Sequence, residues 1–236
     1  MVLGQPDRQR IVAELRERIR AIEGRGGEAR MRPSVAPDWL PAGCRIAGGE
    51  IHEVLAGGDT DAAATAFAAA LAGRLTAQGP VMWLGDVHGP GLTEFGLDSA
   101  RLIVGRIVPT DLWWTVEEAT RCRGVGAVLA SVHTPPSPIV GRRVRMCAHA
   151  SGATVLLHYP ATPKAPLQTA ATRWRVTSAP SIPTDVPGPG VPRWRLELLR
   201  ARGGRDGEWL VEWRGPADGL VVIGEADMAA PLRAAG

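Results

Sequence analysis

The segment from Glu50 to Thr65 has the clearest chemical pattern in this sequence. An apolar strand, a turn of small residues and an alanine-rich helix follow one another, which is the order of elements in a phosphate-binding loop. Such a loop holds phosphate through backbone N–H groups, a lysine and a hydroxyl that binds Mg²⁺. The turn consists of Ala56, Gly57, Gly58, Asp59, Thr60, Asp61 and Ala62. Alanine stands where the lysine is required and two aspartates repel phosphate, so the sequence predicts a degenerate loop that does not hydrolyse ATP.

The second half of an ATP site is also incomplete. A carboxylate that holds Mg²⁺ should end the apolar run 125–132, but Ala130 or Ser131 stands there. Asp86 is the only acid near the position that would polarise water, and Lys164 is the only lysine of the chain. The five histidines are dispersed and the three cysteines have no metal-binding spacing. We therefore predict no catalytic residue, no metal and no cofactor.

Arginine supplies nearly all of the positive charge, and two groups of arginines are candidates for contact with DNA or a partner. Arg142, Arg143 and Arg145 lie at the start of a predicted helix. They either form a solvated helix face or contact DNA or an acidic partner segment. Arg193 and Arg195 alternate with apolar residues in a predicted strand, where cross-strand pairing with glutamates is the favoured interpretation.

The composition is that of a globular protein rich in loops. Hydrophobic residues make up 45% and charged residues 22%, with 29 glycines and 20 prolines. The net charge of +3 is too small to indicate nucleic-acid binding by itself. Neither a signal peptide nor a run of 18 apolar residues is visible. We therefore expect a soluble cytoplasmic protein without a membrane partner.

The first element that the pattern predicts is an amphipathic helix over 7–23. Its apolar stripe recurs at spacings of four, four and three residues and consists of Ile11, Leu15, Ile19 and Ile22. A linker rich in glycine and proline continues to residue 42, so the helix has no core of its own to face. It must dock either on its own domain or on another molecule.

Residues 43–215 alternate between strands and helices, which indicates an α/β domain with a mostly parallel sheet covered on both faces. Strands are predicted at 51–55, 81–84, 102–108, 125–132 and 154–159. Helices are predicted at 61–78, 111–123 and 142–151. Three alternating segments then predict an antiparallel meander, and 216–236 is a C-terminal tail. One face of the meander is expected to be core rather than a stacking surface for nucleic acid; it carries Trp174, Trp194, Leu196, Leu198, Trp209, Val211 and Trp213.

Several segments in order along the chain resemble a known family. They include Gly48–Val54, Gly89–Leu92 with Gly96–Asp98, Trp113–Arg121, Arg142–Arg145, Ala150–Thr154, Ala171–Val176 and Pro192–Leu198. From Arg45 to about Trp213 the chain is similar to the ImuA family, RecA-related proteins of bacterial damage-inducible mutagenesis cassettes. The resemblance implies a RecA-like core, and it implies that the helix over 7–23 docks on another protein molecule.

The same resemblance implies a role in error-prone translesion DNA synthesis. Its partners would be ImuB, a catalytically inert relative of Y-family polymerases, and an error-prone replicative-type polymerase; RecA or a second copy of the chain are further candidates. The predicted function is a non-catalytic adaptor of that complex. A recombinase-class ATPase and a damage-induced inhibitor of cell division are the alternatives.

Overall fold

The computed structural model describes residues 40–41, 44–58, 62–122, 124–163, 167–183, 188, 190–203 and 206–225. The predicted N-terminal helix, with Ile11, Leu15, Ile19 and Ile22, lies outside these residues. So do Asp59, Thr60, Asp61 and Lys164. Within the described residues no helix is long and apolar enough to span a membrane.

Strands and helices alternate through the first two thirds of the described chain, and strands dominate the last third. The elements are β1 (Ile51–Ala56), α1 (Ala62–Leu75), β2 (Val81–Leu84), α2 (Gly89–Thr93), β3 (Leu102–Gly105), α3 (Leu112–Arg121), β4 (Ala127–Ser131), α4 (Pro138–Ser151), β5 (Thr154–Tyr159), β6 (Thr172–Ile182), β7 (Val191–Ala201), β8 (Gly207–Trp213), α5 (Gly215–Asp218) and β9 (Leu220–Glu225).

The described strands form one nine-stranded sheet in the order β3-β2-β4-β5-β1-β6-β7-β8-β9. Every pairing from β3 to β6 is parallel, and the pairings β6–β7, β7–β8 and β8–β9 are antiparallel. This confirms the predicted RecA-like α/β fold, with a mostly parallel centre and C-terminal antiparallel strands.

Helix α1 covers one face of the sheet because its alanines allow a close approach. Nine of its residues are buried, six of them alanine, and Phe67 is its largest side chain. The ring of Phe67 packs against Trp174 of β6, with ring centroids 5.6 Å apart. Helices α3 and α4 cover the other face, where Val116 and Val144 pack over strands β1, β2, β4 and β5. The central strands are thus buried on both faces, as a parallel sheet requires.

The tryptophan face of the meander is core, as the alternation predicts. Trp174, Trp194 and Trp213 are buried together with the aliphatic residues of the same face, and Trp209 packs against them partly buried. The rings of Trp194 and Trp213 stack with an interplanar angle of 17° and centroids 6.1 Å apart. These rings lie inside the protein, so they cannot serve as an exposed platform for bases.

Several boundaries differ from the predicted ones for local reasons. Helix α4 begins at Pro138 rather than Arg142, because the Ser137 hydroxyl accepts a hydrogen bond from Val140 N and proline suits the first helical position. The predicted arginine cluster therefore lies one turn inside the helix. The sheet also continues past the predicted boundary at 215, since β9 pairs with β8.

Candidate functional site

The carboxyl ends of the parallel strands form the edge at which open α/β sheets bind ligands. Four strands bring Ala56, Gly85, Ser131 and His158 to this edge, and the first turn of α1 adds Thr65. The edge contains the phosphate-binding-like turn and both positions at which a carboxylate was expected. Its geometry therefore decides what chemistry the fold supports.

The turn after β1 is held by neighbouring strands and loops. Thr162 Oγ1 donates a hydrogen bond to the carbonyl of Ala56 at 2.9 Å. Gly57 N donates to the carbonyl of Val176 at 2.8 Å. A Cβ on Gly57 would lie 1.8 Å from Thr177 Oγ1, so only glycine fits against β6 at this point. Glycine here serves a close approach of backbone to strand, a structural role that needs no phosphate.

The predicted loop is described only at its two ends. At the strand end the structure describes Ala56, Gly57 and Gly58. At the helix end it describes Ala62, which is the first residue of α1 and has an exposed side chain. The alanine at the expected lysine position thus begins the helix. That this loop does not bind nucleotide remains a prediction.

A cluster of two hydroxyls and one imidazole lies at the ends of β4 and β5. His158 Nε2 is 3.2 Å from Thr65 Oγ1, and His158 Nδ1 is 3.3 Å from Ser131 Oγ. The His158 residue is 3% exposed, and burial lowers the pKa of its imidazole to about 4, with a further lowering by the charge of His133. The imidazole is therefore neutral at pH 7, so one ring nitrogen donates to a hydroxyl and the other accepts from one.

At this edge the structure places hydroxyls and an imidazole where an ATP site would have a carboxylate. Ser131, at the end of β4, carries no charge, and its hydroxyl is engaged with His158. Asp86 lies after β2 with its side chain 92% exposed, 3.3 Å from the guanidinium of Arg106. The described residues contain no group of three or more His, Cys, Asp or Glu side chains that could hold a metal ion.

A cavity of about 580 Å³ opens beside the cluster. Its walls come from α1, from the carboxyl ends of β2, β4 and β5, and from the segment leading into α3. Trp113, Leu112 and Ile107 contribute apolar surface, while Asp86 is the carboxylate among its lining residues. The arrangement offers hydroxyl and imidazole hydrogen bonds and apolar surface.

Most of the arginines that were predicted to contact DNA or a partner form ion pairs with carboxylates of the chain itself. Arg143 Nη2 donates to Glu117 Oε2 at 2.6 Å, and Arg145 Nε donates to Glu50 Oε2 at 3.1 Å. Arg142 is exposed and forms no ion pair with any other residue that the structure describes. The three arginines thus do not form one free cationic group, since two of them are partly neutralised.

The arginines of the meander are engaged across strands, as favoured from the sequence. Arg193 Nη2 lies 3.1 Å from Glu212 Oε2, and Arg195 Nη1 lies 2.8 Å from Glu208 Oε1. Glu212 also accepts from Arg214 Nε at 2.9 Å. These arginines hold β7 against β8, and any contact with DNA or a partner stays a prediction.

Two buried polar groups were not singled out from the sequence. Glu53, at the centre of β1, is fully buried and accepts from Arg173 Nε at 2.7 Å, and the same guanidinium reaches the carbonyl of Leu167. Burial raises the pKa of Glu53, and the charge of Arg173 opposes that rise. His52 Nε2 lies 3.0 Å from the carbonyl of Ala47, and burial lowers the pKa of His52 to about 4. Two adjacent polar residues inside the otherwise apolar strand β1 were the signal that could have found both.

Comparison with known proteins supplies a relative. The chain is 36% identical over 180 residues to Protein ImuA of Caulobacter vibrioides, in both strain NA1000 / CB15N and strain ATCC 19089 / CIP 103742 / CB 15. The match covers 68% of this chain and 73% of each relative. No protein-family model matches the chain.

Proposed function

The chain belongs to the ImuA family, and we propose that it acts in damage-inducible mutagenesis as a non-catalytic RecA-like adaptor of an error-prone translesion synthesis complex. Its direct partner in this proposal is an ImuB-like polymerase homologue, which joins it to an error-prone replicative-type polymerase. The fold serves as a rigid platform for protein contacts, and nucleotide turnover has no part in the role.

The observation that carries this proposal is the uncharged cluster of Thr65, Ser131 and His158 at the carboxyl edge of the sheet. Phosphoryl transfer needs a metal ion and positive charge to stabilise the charge on the transferred group. The strand end that would hold the metal presents a hydroxyl bonded to a neutral imidazole. Ala62 at the expected lysine position adds to this argument, since no cation stands there.

A recombinase-class ATPase would need a lysine and a carboxylate that holds Mg²⁺ at the same edge of the sheet. Asp86 is the carboxylate that lines this edge, and the described residues give it no second acidic neighbour with which to hold a metal ion. The geometry therefore favours an adaptor over an ATPase.

Two measurements on the purified full chain test the proposal together. Titration with a labelled ATP analogue and Mg²⁺ should give no saturable binding at concentrations of free analogue up to the millimolar range. The rate of ATP hydrolysis should not exceed the rate in buffer without protein. Calorimetric titration with the purified ImuB-like polymerase homologue should show a stoichiometric complex. ATP turnover by the chain would refute the non-catalytic part, and absence of the complex would refute the adaptor part.

A further inference from the structure

The three most exposed large apolar side chains of the described residues lie on two neighbouring helices. Ile139 and Met146 of α4 are 73% and 66% exposed, and Trp114 of α3 is 65% exposed. Single exposed apolar residues are ordinary, but a group of them on one surface marks an interaction site. Both helices are otherwise amphipathic and bury Val116 and Val144 against the sheet.

We infer from helical spacing that these side chains border one groove, because α3 and α4 are neighbours and run in the same direction. Glu117 of α3 meets Arg143 of α4, and one turn further along α3 Arg121 lines the same cavity of about 370 Å³ as Met146. Trp114 precedes Glu117 by about one turn, and Ile139 precedes Arg143 by about one turn. The groove therefore has apolar side chains at one end, an ion pair in the middle and Met146 at the other end.

The charge that this groove presents to solvent is positive. Helix α4 has no carboxylate along its length, and Arg142 is exposed without an ion pair to another described residue. Glu117 is only 2% exposed beneath Arg143, whose own side chain is 56% exposed. A guanidinium has five N–H donors, so Arg143 can bind a second carboxylate while keeping Glu117.

We propose that the α3–α4 groove, formed by Trp114, Arg121, Ile139, Arg142, Arg143 and Met146, binds an amphipathic helix with an acidic flank from the polymerase-homologue partner. The identity of that partner rests on the proposed function. Apolar side chains of the incoming helix cover Trp114, Ile139 and Met146, and its carboxylates pair with the arginines at the rim, as in other helix-in-groove complexes.

The charge pattern disfavours two other occupants. The amphipathic segment 7–23 of a second copy carries five arginines against four carboxylates, so it lacks an acidic flank. Single-stranded DNA needs a cationic groove together with aromatic side chains on which successive bases stack, but Trp114 is the one aromatic side chain among the six residues of this groove. Three large apolar side chains in the same groove suit a protein helix better.

The test compares surface variants of the full chain in calorimetric titration with the purified ImuB-like polymerase homologue. Trp114→Ala and Arg142→Glu should each weaken the complex at least tenfold, and Met146→Ala at least threefold, because buried aromatic and arginine contacts dominate interfaces. Arg142→Glu should also flatten the dependence of affinity on salt. Matched controls lie away from the groove: Val222→Ala on the edge strand β9 and Arg101→Glu before β3 should bind like the unaltered chain.

The outcomes separate the groove from the proposed function. If the unaltered chain binds and all three groove variants bind equally well, the groove assignment is wrong and the adaptor role stands. If the unaltered chain does not bind the polymerase homologue, the adaptor role is wrong, and the groove assignment, which depends on it, is wrong as well. Each variant is also titrated with oligo(dT); loss of DNA binding at unchanged partner binding would reassign the groove to nucleic acid and overturn the proposal. Because the altered side chains are exposed, unchanged thermal unfolding is expected for all variants.

Discussion

Ser131 and His158 lie opposite each other at the ends of the paired strands β4 and β5, with Ser131 Oγ 3.3 Å from His158 Nδ1. Their register places a hydroxyl and a neutral imidazole at the edge where phosphoryl-transfer enzymes of similar topology need a carboxylate and a metal ion. A neutral pair of this kind can donate and accept hydrogen bonds but cannot balance the charge of a phosphate. This relationship supports the proposal that the RecA-like sheet acts without ATP turnover.

Repairing the loop alone should not create an ATPase. The variant Asp61→Gly/Ala62→Lys restores a lysine and removes one repelling carboxylate, but Ser131 still ends β4 without charge. We expect no turnover above buffer in a steady-state phosphate-release assay. Turnover by the double variant that depends on Mg²⁺ would contradict this prediction.

Stability should fall as the solution is acidified from about pH 6.5 to about pH 4. Burial lowers the pKa of both His52 and His158 from 6.5 to about 4, so in this window the unfolded chain binds protons that the folded chain does not. The stabilisation is complete above pH 6.5 and is lost toward pH 4, by about 3 kcal/mol for each histidine. Urea titrations at several pH values measure this free energy of unfolding.

The variant His158→Gln is the control for that slope, because an amide can still bond to both hydroxyls but does not titrate. It should remove about half of the histidine-dependent loss. Glu53 acts in the opposite direction, since its raised pKa favours the folded state as the pH falls, and it is present in both proteins. Identical slopes for the two proteins would show that His158 is not a buried neutral group.

Truncation of the tryptophan core should destabilise the fold severely. Trp174→Ala removes a fully buried indole that packs against Phe67 and Trp209, and we expect a loss of about 3–5 kcal/mol. Trp114→Ala, at an exposed tryptophan, should change the free energy of unfolding by about 0.5 kcal/mol or less. Equal losses in chemical denaturation would contradict the assignment of Trp174 to the core.

Breaking the ion pair inside the sheet should cost more than replacing both partners. Arg173→Met leaves the fully buried carboxylate of Glu53 without its 2.7 Å partner, which should cost about 3–5 kcal/mol. The double variant Glu53→Leu/Arg173→Met leaves no unpaired charge and should recover part of that loss. A double-mutant cycle in urea measures the coupling, and a coupling near zero would mean that the pair contributes nothing to stability.

Deletion of residues 1–30 should leave the sheet folded and weaken association. The stripe of Ile11, Leu15, Ile19 and Ile22 predicts a helix that buries its apolar face on another protein molecule, an area worth roughly 6–10 kcal/mol before entropy losses. Circular dichroism should show an unchanged sheet, and sedimentation should show weaker self- or partner association. Unfolding of the shortened chain would place the helix in its own core.

Local periodicity was sufficient to predict most elements of this fold. Strands β2 and β5 occupy the predicted residues, and the alternation of Trp194, Leu196 and Leu198 with charged residues correctly assigns the buried face of β7. Such patterns are readable because the two faces of a strand differ in solvent exposure, and each strand encodes that difference in its own residues.

The polar contacts were decided by the tertiary structure. Thr65 and His158 are 93 residues apart, and they meet because α1 packs over β5. Glu53 and Arg173 are 120 residues apart, and they meet because β6 pairs with β1. Strand order also brings Glu117 to Arg143 and Glu50 to Arg145. In the sequence these two arginines resemble part of a free cationic cluster. Periodicity records whether a side chain is buried, which is a property of one segment. Which charge or hydroxyl it meets depends on the neighbouring segment, and that neighbour is set by the topology of the whole chain.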